Sequence, residues 1–352
     1  MSTCIVTGSL GLVGSHAVAF FADKFDKIIG IDNDQRKEFF GTSGVGNMPT
    51  VENYQHIDLD IRKINPDIFT EDVQLIIHAA GQPSHDWATE NVLDDFAINA
   101  IGTVCLLEIV RKKCPAAVFI FCSTNKVYGD GTNTDYYVES EKRFLSLRTG
   151  YNEYLETDNV LHSFFGCSKL AADLYAQEYG KHLGIKTGIF RAGCITGPGH
   201  GGAVLHGFLS YLVKCFKEDL CYTIYGYGGK QVRDQIHAYD LVTAFYEFYK
   251  NPKPGEVYNI GGGTHSNCSV LEAIELCEEI SGKKLNYSIS DKVRTGDHKW
   301  WISDVSKRLG KREARDFYFT YSVLFIMQNG FWMITLIQYV KSAPVAVNFM
   351  RC

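Results

Sequence analysis

The stretch that decides the fold is Cys4-Ile5-Val6-Thr7-Gly8-Ser9-Leu10-Gly11-Leu12-Val13-Gly14. A short apolar run enters a loop with three glycines, and apolar residues then recur at helical spacing over 12–24. Glycines let the backbone turn tightly and approach a pyrophosphate, whose charge then lies at the positive amino end of the helix. Asp32 follows the next apolar run, eighteen residues beyond Gly14, and completes the pattern. We therefore predict a strand, loop and helix that bind a dinucleotide.

The carboxylate of Asp32 indicates which dinucleotide is bound. It can accept hydrogen bonds from both ribose hydroxyls of the adenosine, whereas a 2′-phosphate there would meet like charge. Arg36 and Lys37 follow closely in the chain, so NADP stays open as the alternative. We expect NAD to be the cofactor.

Short apolar runs alternate with longer stretches of helical period in the first part of the chain. This alternation is typical of a parallel sheet covered by helices on both faces. The predicted strands are 4–6, 27–31, 73–78, 117–121 and 186–190, and the predicted helices are 12–24, 94–113 and 168–183. The sequence predicts an α/β fold built on a Rossmann-like doubly wound parallel sheet.

The pattern changes after Arg191 to Gly-rich turns, mixed helices and short strands such as 256–260. This change predicts a smaller α/β substrate-binding lobe, separated from the sheet by a cleft. The predicted division is a dinucleotide-binding domain over 1–191, a substrate lobe over 192–310 and an atypical apolar tail over 311–352.

The tail contains an uncharged stretch over 317–340 that is long enough to span a bilayer. Polar residues such as Thr320, Gln328 and Asn329 interrupt it. We expect a packed or divergent segment that the fold does not need, and a membrane anchor is the alternative.

Composition excludes several classes of protein. An apolar content of 45% with 21% charged residues argues against a disordered or fibrous chain. The net charge of −5 is spread without long blocks, which argues against a nucleic-acid partner. The eleven cysteines form no Cys-x-x-Cys pair, and the histidines are dispersed, so we expect no metal site and a reduced, cytoplasmic protein.

Further motifs follow one another in the order found in a known family. They are His78-Ala79-Ala80-Gly81, Asn99, Ser123-Thr124-Asn125-Lys126-Val127-Tyr128-Gly129, Gln231-Val232-Arg233-Asp234 and Tyr258-Asn259-Ile260-Gly261-Gly262. With the glycine loop, they make residues 3–305 resemble the extended short-chain dehydrogenase/reductase family, which mostly acts on nucleotide-sugars. Within that family the motifs are most similar to the CDP-paratose (CDP-tyvelose) 2-epimerase group.

This resemblance implies which residues hold the cofactor. They are Gly8, Gly11, Leu12 and Val13 at the pyrophosphate, Asp32 and Asn33 at the ribose, Asp60 and Ile61 at the adenine, and Ala79, Ala80, Gly81, Asn99 and Lys169 around the nicotinamide.

The resemblance also implies the substrate contacts. Gln82 and Asn125 are candidates for the sugar hydroxyls. Arg233 and Arg294 are candidates for the diphosphate, because a planar guanidinium fork suits it. Salt bridges to Asp234 or Asp297 are the alternative role for these arginines.

The chemistry that the resemblance implies is a transient oxidation. NAD takes a hydride from a sugar carbon and returns it to the other face, while a positioned group removes and returns the hydroxyl proton. In the family a Tyr and a Lys four residues apart share that task. Here Phe165 stands four residues before Lys169, and a phenyl ring carries no proton.

Other residues must then complete the site. Thr124 can still bond the reacting sugar oxygen. Tyr151 is the proton carrier that we favour, and His162 and Cys167 are nearby alternatives. The family's sugar 4,6-dehydratases usually have Asp-Glu after this Thr, so Asn125-Lys126 disfavours elimination.

We therefore expect an NAD-dependent nucleotide-sugar epimerase that most resembles the CDP-paratose group. Epimerisation of a UDP- or GDP-hexose at C4 is one alternative. A non-catalytic NAD-binding sensor or scaffold is another, because of Phe165. The resemblance further implies a homodimer or homotetramer built through the helix that carries Lys169.

Overall fold

The computed structural model describes residues 1–204 and 206–307, and the backbone of 321–328, 331–340 and 343–346. In chain order its strands are β1 (Thr3–Thr7), β2 (Lys27–Ile31), β3 (Tyr54–Ile57), β4 (Val73–His78), β5 (Val118–Thr124), β6 (Tyr137–Glu139), β7 (Phe144–Ser146), β8 (Lys186–Ala192), β9 (Cys194–Thr196), β10 (Tyr222–Tyr225), β11 (Val232–His237), β12 (Glu256–Ile260), β13 (Asn267–Ser269), β14 (Tyr287–Ser290), β15 (Trp300–Trp301), β16 (Tyr321–Gln328), β17 (Phe331–Val340) and β18 (Ala343–Ala346). Its α-helices are α1 (Leu12–Phe21), α2 (Arg36–Phe40), α3 (His85–Glu90), α4 (Val92–Phe96), α5 (Gly102–Lys113), α6 (Phe164–Lys181), α7 (Phe208–Glu218), α8 (Ala238–Lys250) and α9 (Val270–Ser281).

A parallel sheet forms the centre of the described part of the chain. Its seven strands lie in the order β12-β8-β5-β4-β1-β2-β3. The predicted Rossmann-like sheet is confirmed. The chain runs outward in opposite directions from β1 and β4, and ligands of such sheets bind where the strand order reverses, beyond the carboxyl ends of the strands.

Helices cover both faces of this sheet, which explains why its strands are continuous apolar runs. On one face, α1 and α8 pack Phe21 and Phe245 against the strands. On the other, α5 and α6 contribute Leu106, Leu107 and Ala176. Every residue of β1 is buried. Two apolar layers therefore fix the strand ends at which the glycine loop emerges.

The placement of 256–260 in the second lobe was wrong. This segment is β12, and it pairs in parallel with β8 at the edge of the central sheet. The ring of Tyr258 stacks on Phe190 at 5.4 Å between centroids, which buries both rings in the sheet's own core. The chain thus returns to the first layer after Arg191. Strand β3 was not predicted, and its partly exposed edge position explains its weak apolar signal.

The smaller lobe has its own apolar cluster between α7, α9 and the parallel pair β10 and β14. Strand β11 pairs with β13 and β15 and, further along, with β9. Residues of β9, β10 and β11 face the carboxyl end of the central sheet across a cavity. The cleft that the change of sequence pattern predicts is present.

The backbone segments 321–328, 331–340 and 343–346 form an antiparallel sheet in the order β16-β17-β18. The other residues of the predicted tail over 311–352, including 311–320, lie outside the described residues. Among the described helices, none is both long and apolar enough to cross a membrane. That the tail is dispensable stays a prediction.

Candidate active site

The glycine loop joins β1 to α1 and has no room for side chains. Gly8 has φ of +72°, and a Cβ atom there would lie 2.6 Å from the backbone nitrogen of Ala80. A Cβ on Gly14 would lie 2.0 Å from the carbonyl oxygen of Gly8. Gly11 caps α1 without a side-chain hydrogen bond, so the first amides of the helix remain available to an anion. The loop fits a pyrophosphate.

Asp32 follows β2 and lies beside this loop. Its Oδ2 accepts a hydrogen bond from the backbone nitrogen of Leu10 at 2.9 Å, and its Oδ1 accepts one from that of Asp34 at 2.8 Å. Burial raises the pKa of Asp32, and these hydrogen bonds oppose the rise. The carboxylate is therefore held in place next to the loop, where it fits the adenosine ribose of a dinucleotide.

One cavity of about 590 Å³ runs from the glycine loop to the smaller lobe. Most of the residues predicted for the site line it. From the cofactor set these are Gly8, Gly11, Leu12, Val13, Asp32, Asn33, Ile61, Ala79, Ala80, Gly81 and Lys169, and from the catalytic and substrate sets they are Thr124, Phe165, Gln82, Asn125, Arg233 and Arg294. The structure does not bring Asp60, Asn99 or Tyr151 to its lining.

Asp60 and Asn99 have other partners. The carboxylate of Asp60 pairs with Arg62 at 2.7 Å. Asn99 is 1% exposed, and its side chain bonds the backbone of Gln82 and the side chains of Asp95 and Ser168. Asn99 therefore holds the segment that follows β4, and its amide is used within the fold.

Tyr151 lies outside the cavity, so the geometry does not support it as the proton carrier. Its hydroxyl is 2.7 Å from both Asp135 Oδ2 and the hydroxyl of Tyr137, and its ring stacks on Trp301 at 5.3 Å. Burial raises the pKa of Tyr151, and these hydrogen bonds raise it further. A lysine that would lower the pKa, as the sequence suggested, is not among its hydrogen-bond partners.

Helix α6 carries Phe165 and Lys169 on one face, one turn apart. The Lys169 Nζ donates to the carbonyl oxygen of Cys122 at 2.8 Å and lies 4.2 Å from the ring centroid of Phe121. Burial lowers the pKa of Lys169 to about 8. A charged or neutral amine is thus positioned beside the cavity, and Phe165 offers no hydroxyl next to it.

Gln82 is completely buried, and its amide is already engaged. Its Nε2 donates to the carbonyl oxygen of Ser84 and to Asp95 Oδ1, both at 2.8 Å, while its Oε1 accepts from the backbone nitrogen of Ser84. The predicted contact of Gln82 with a sugar hydroxyl therefore competes with three internal bonds. Its evident effect is to shape the turn before α3.

A cluster of charged side chains also lines the cavity. Asp297 Oδ1 lies 2.8 Å from both Lys126 Nζ and Arg233 Nη2. Burial raises the pKa of Asp297, but Arg233, Lys126 and Arg294 outweigh it and hold that pKa well below its usual value. The cluster thus has more positive than negative charge. Asp234 instead accepts hydrogen bonds from the backbone of Gly263 and Ser303.

Three histidines of the cavity lining were not among the predicted site residues: His85, His200 and His206. His85 lies against Phe165, with 4.8 Å between ring centroids. His206 stacks on Phe40 at 4.5 Å, and His200 meets His206 edge-on at 5.7 Å. No spacing in the sequence linked His85 to a residue eighty positions later.

The fold and the glycine loop are those of a dinucleotide-binding protein, and the same cavity is lined by Lys126, Arg233 and Arg294. A family model described as the NAD dependent epimerase/dehydratase family matches residues 4–261. The chain belongs to this family, and the resemblance noted in the sequence is confirmed. The cofactor is NAD, and the crowded glycine loop and the Asp32 carboxylate fit it.

Individual relatives agree with this assignment. The CDP-paratose 2-epimerase of Salmonella typhi is 31% identical over 321 residues, covering 86% of this chain and 91% of the relative. The dTDP-D-glucose 4,6-dehydratase of Bos taurus is 27% identical over 290 residues, covering 79% of this chain and 74% of the relative. The crystal structure of UDP-glucuronic acid 4-epimerase from Bacillus cereus with UDP-glucuronic acid and NAD is 25% identical, with a TM-score of 0.70, covering 90% of this chain and 96% of that one.

Proposed function

We propose that this protein epimerises a nucleotide-sugar by transient oxidation and re-reduction of one sugar carbon. The observation that carries the proposal is that one cavity is lined by the glycine loop, by Thr124 and Lys169, and by the Arg233 and Arg294 cluster. NAD, when bound, supplies a reversible hydride acceptor. The cations suit a diphosphate, since guanidinium groups bind phosphate oxygens in pairs.

We propose separate tasks for the residues of the chain. Thr124 ends β5, and its hydroxyl is available to orient the reacting sugar oxygen. Lys169 would hold the nicotinamide ribose and add positive charge near that oxygen. Gly81 leaves space beside the Lys169 amine, since a Cβ atom on Gly81 would lie 3.9 Å from Lys169 Nζ and 3.0 Å from the side chain of Asn99.

Epimerisation is favoured over elimination by the residues that follow Thr124. Elimination of a sugar hydroxyl requires an acid and a base, and the family's dehydratases use carboxyl groups here. Asn125 and Lys126 supply none. The carboxylate of Asp297 reaches this part of the cavity but is paired with Lys126 and Arg233 and stays ionised. It is therefore a poor proton donor.

A CDP-3,6-dideoxyhexose epimerised at C2 is the substrate that we propose. Support comes from the 31% identity to the CDP-paratose 2-epimerase. C4 epimerisation of a UDP- or GDP-hexose is the second candidate, because the Bacillus cereus structure that shares the fold is a UDP-glucuronic acid 4-epimerase. The non-catalytic sensor or scaffold remains the candidate of another class, and Phe165 is the observation that favours it.

We also propose a division of the described chain and a homodimer or homotetramer. The dinucleotide-binding layer would comprise 1–191 together with α8 and β12, and the substrate lobe most of the remainder up to 307. Support for the oligomer is the apolar surface of α4 to α6, where exposed residues are Leu93, Phe96, Ile101, Phe164, Leu174 and Tyr175. A cytoplasmic location is consistent with free thiols at every described cysteine.

The experiment incubates the purified protein with NAD and a panel of CDP-, UDP- and GDP-sugars. Proton NMR then follows the hydrogen on each sugar carbon. We expect inversion at one carbon of one nucleotide-sugar, with no net consumption of NAD. Water loss from the sugar would instead indicate a dehydratase. NAD binding without any change in any sugar would contradict the proposal and support the sensor or scaffold.

A further inference from the structure

His85 lines the cavity beside Phe165, the residue that stands where the family normally has its tyrosine. It is the first residue of α3, and its ring contacts that of Phe165 at 4.8 Å with an interplanar angle of 51°. Its Nδ1 is buried and has no hydrogen-bond partner among the described residues. Burying a ring nitrogen without a hydrogen-bond partner destabilises the fold, so we expect this imidazole to bind a ligand.

The turn that carries His85 is held from several sides. Ser84 caps α3 by accepting a hydrogen bond from the backbone nitrogen of Trp87 at 3.2 Å. The fully buried Gln82 bonds both backbone groups of Ser84, and Asn99 bonds the backbone of Gln82. These hydrogen bonds hold the backbone that precedes His85, and its ring packs against that of Phe165.

We propose that His85 replaces the missing tyrosine and exchanges the proton of the reacting sugar hydroxyl; this inference rests on the epimerase function proposed above. In the oxidation the hydroxyl proton goes to the neutral imidazole, and the hydrogen on the same carbon leaves with two electrons as hydride to NAD. The products are a ketone, an imidazolium and NADH. The ketone carbon then takes the hydride back on its other face, and the imidazolium returns its proton to the oxygen, which regenerates NAD and the neutral ring.

The other proton carriers near Phe165 in the sequence are less suitable. His162 Nε2 bonds the carbonyl oxygen of Val127 at 2.9 Å. Cys167 is exposed and is not part of the cavity lining. Tyr151 is bonded to Asp135 outside the cavity. His85 alone among these groups lines the cavity next to Phe165.

The charges that face His85 link its protonation to substrate binding. Burial lowers the pKa of the ring well below 6.5, the positive charges of Arg294 and Lys126 and the neighbouring His206 lower it further, and Asp297 raises it. Arg294 and Lys126 belong to the cation cluster to which we assign the diphosphate. A bound diphosphate neutralises those charges, so the pKa of His85 should rise in the complex toward the range in which an imidazole both accepts and returns a proton.

The first test compares His85→Gln with the parent on the active nucleotide-sugar. Removing a general acid or base costs ~10²–10⁴-fold in rate, so we expect a loss of kcat of that size with the NAD affinity unchanged. His182→Gln, on the exposed end of α6, is the matched control and should behave as the parent. In the double variant His85→Gln/Phe165→Tyr, the restored phenol should recover at least ~10-fold of the lost rate.

The second test does not depend on turnover. The pKa of the His85 ring is measured by NMR of histidine-labelled protein with NAD, before and after saturation with CDP or UDP. We expect a pKa below 6.5 that rises when the nucleotide binds. The kcat/KM of the parent should then be constant between pH 6.5 and pH 8, because the His85 ring of the free enzyme is neutral over this range. The kcat/KM of the double variant should instead rise with pH, because the phenol of its new tyrosine ionises.

The outcomes separate this inference from the function on which it rests. If the parent epimerises a sugar and His85→Gln matches it, the role of His85 is wrong and the epimerase stands. If the parent binds NAD but changes no sugar, the epimerase function and the role of His85 are both wrong. If His85→Gln fails to bind NAD, the NMR titration decides, and a ring pKa that CDP and UDP leave unmoved overturns the proposal.

Discussion

The ring of Phe165 lies 4.8 Å from the ring of His85, and both residues line the same cavity as Lys169. In this family the residue four positions before the lysine is normally a tyrosine that carries a proton. The phenyl ring here cannot do so, yet an imidazole with an unpartnered Nδ1 among the described residues lies directly beside it. The loss of the hydroxyl is therefore compatible with catalysis.

Asp32 should determine the choice between NAD and NADP. Its carboxylate opposes a 2′-phosphate and also accepts hydrogen bonds from Leu10 and Asp34, so Asp32→Ala should weaken NAD binding and narrow the preference over NADP. Titration of both cofactors by protein fluorescence measures this. Lys37→Ala, on the exposed side of α2, is the control and should leave NAD affinity unchanged. Equal binding of the two cofactors by the parent would contradict the assignment.

Tyr151→Phe should affect stability more than turnover. The substitution removes a hydroxyl that bonds Asp135 and Tyr137, and losing a buried partner costs ~1–3 kcal/mol. The change in kcat should stay far below the ~10²-fold that loss of a general acid or base causes. Urea denaturation and steady-state kinetics measure the two effects. A loss of kcat of that size with unchanged NAD affinity would show that Tyr151 carries the proton after all.

Asp173→Asn should destabilise the end of β5. Asp173 is fully buried and bonds both Arg191, at 2.8 Å, and the hydroxyl of Ser123, the residue before Thr124. Removing one partner of a buried ion pair costs ~3–5 kcal/mol, since the other charge stays buried. The exposed pair of Lys142 and Glu275 provides the control, because Glu275→Gln should cost less than ~1 kcal/mol. Equal losses in the free energy of unfolding would contradict this account.

Removing the chain from Phe317 onward should leave the active site intact. Among the described residues, all seven strands of the central sheet and all residues of the cavity lining lie before residue 308, and the removed stretch is uncharged over 317–340. We expect NAD affinity to be unchanged and solubility to improve, as measured by titration and by the soluble fraction after expression. Loss of folding on truncation would show that the tail belongs to the fold.

Local patterns in the sequence predicted most of the fold. The glycine loop, Asp32 and the apolar runs of β1, β2, β4, β5 and β8 are contiguous signals, and each lies where it was predicted. Strand β12 was misplaced because its partner β8 is about seventy residues earlier in the chain. Long-range pairing of this kind leaves no periodic signal in either segment.

The residues of the candidate site were harder to predict where a side chain forms hydrogen bonds or ion pairs within the fold instead of facing the cavity. Asp60 pairs with Arg62 only two residues away, and Tyr151 bonds Asp135, so neither reaches the cavity. His85 was missed because its significance depends on Phe165, which the fold brings to it from another helix. Sequence position alone does not show such a contact.

The most direct test of the central claim follows deuterium through one turnover. The active nucleotide-sugar is prepared with deuterium on the carbon that is inverted and incubated with the protein and NAD. Transient oxidation returns the same hydride to the same carbon, so we expect the epimer to retain deuterium there, with no net formation of NADH. An epimer that carries solvent hydrogen at that carbon, or NAD binding without any epimer, would contradict the account.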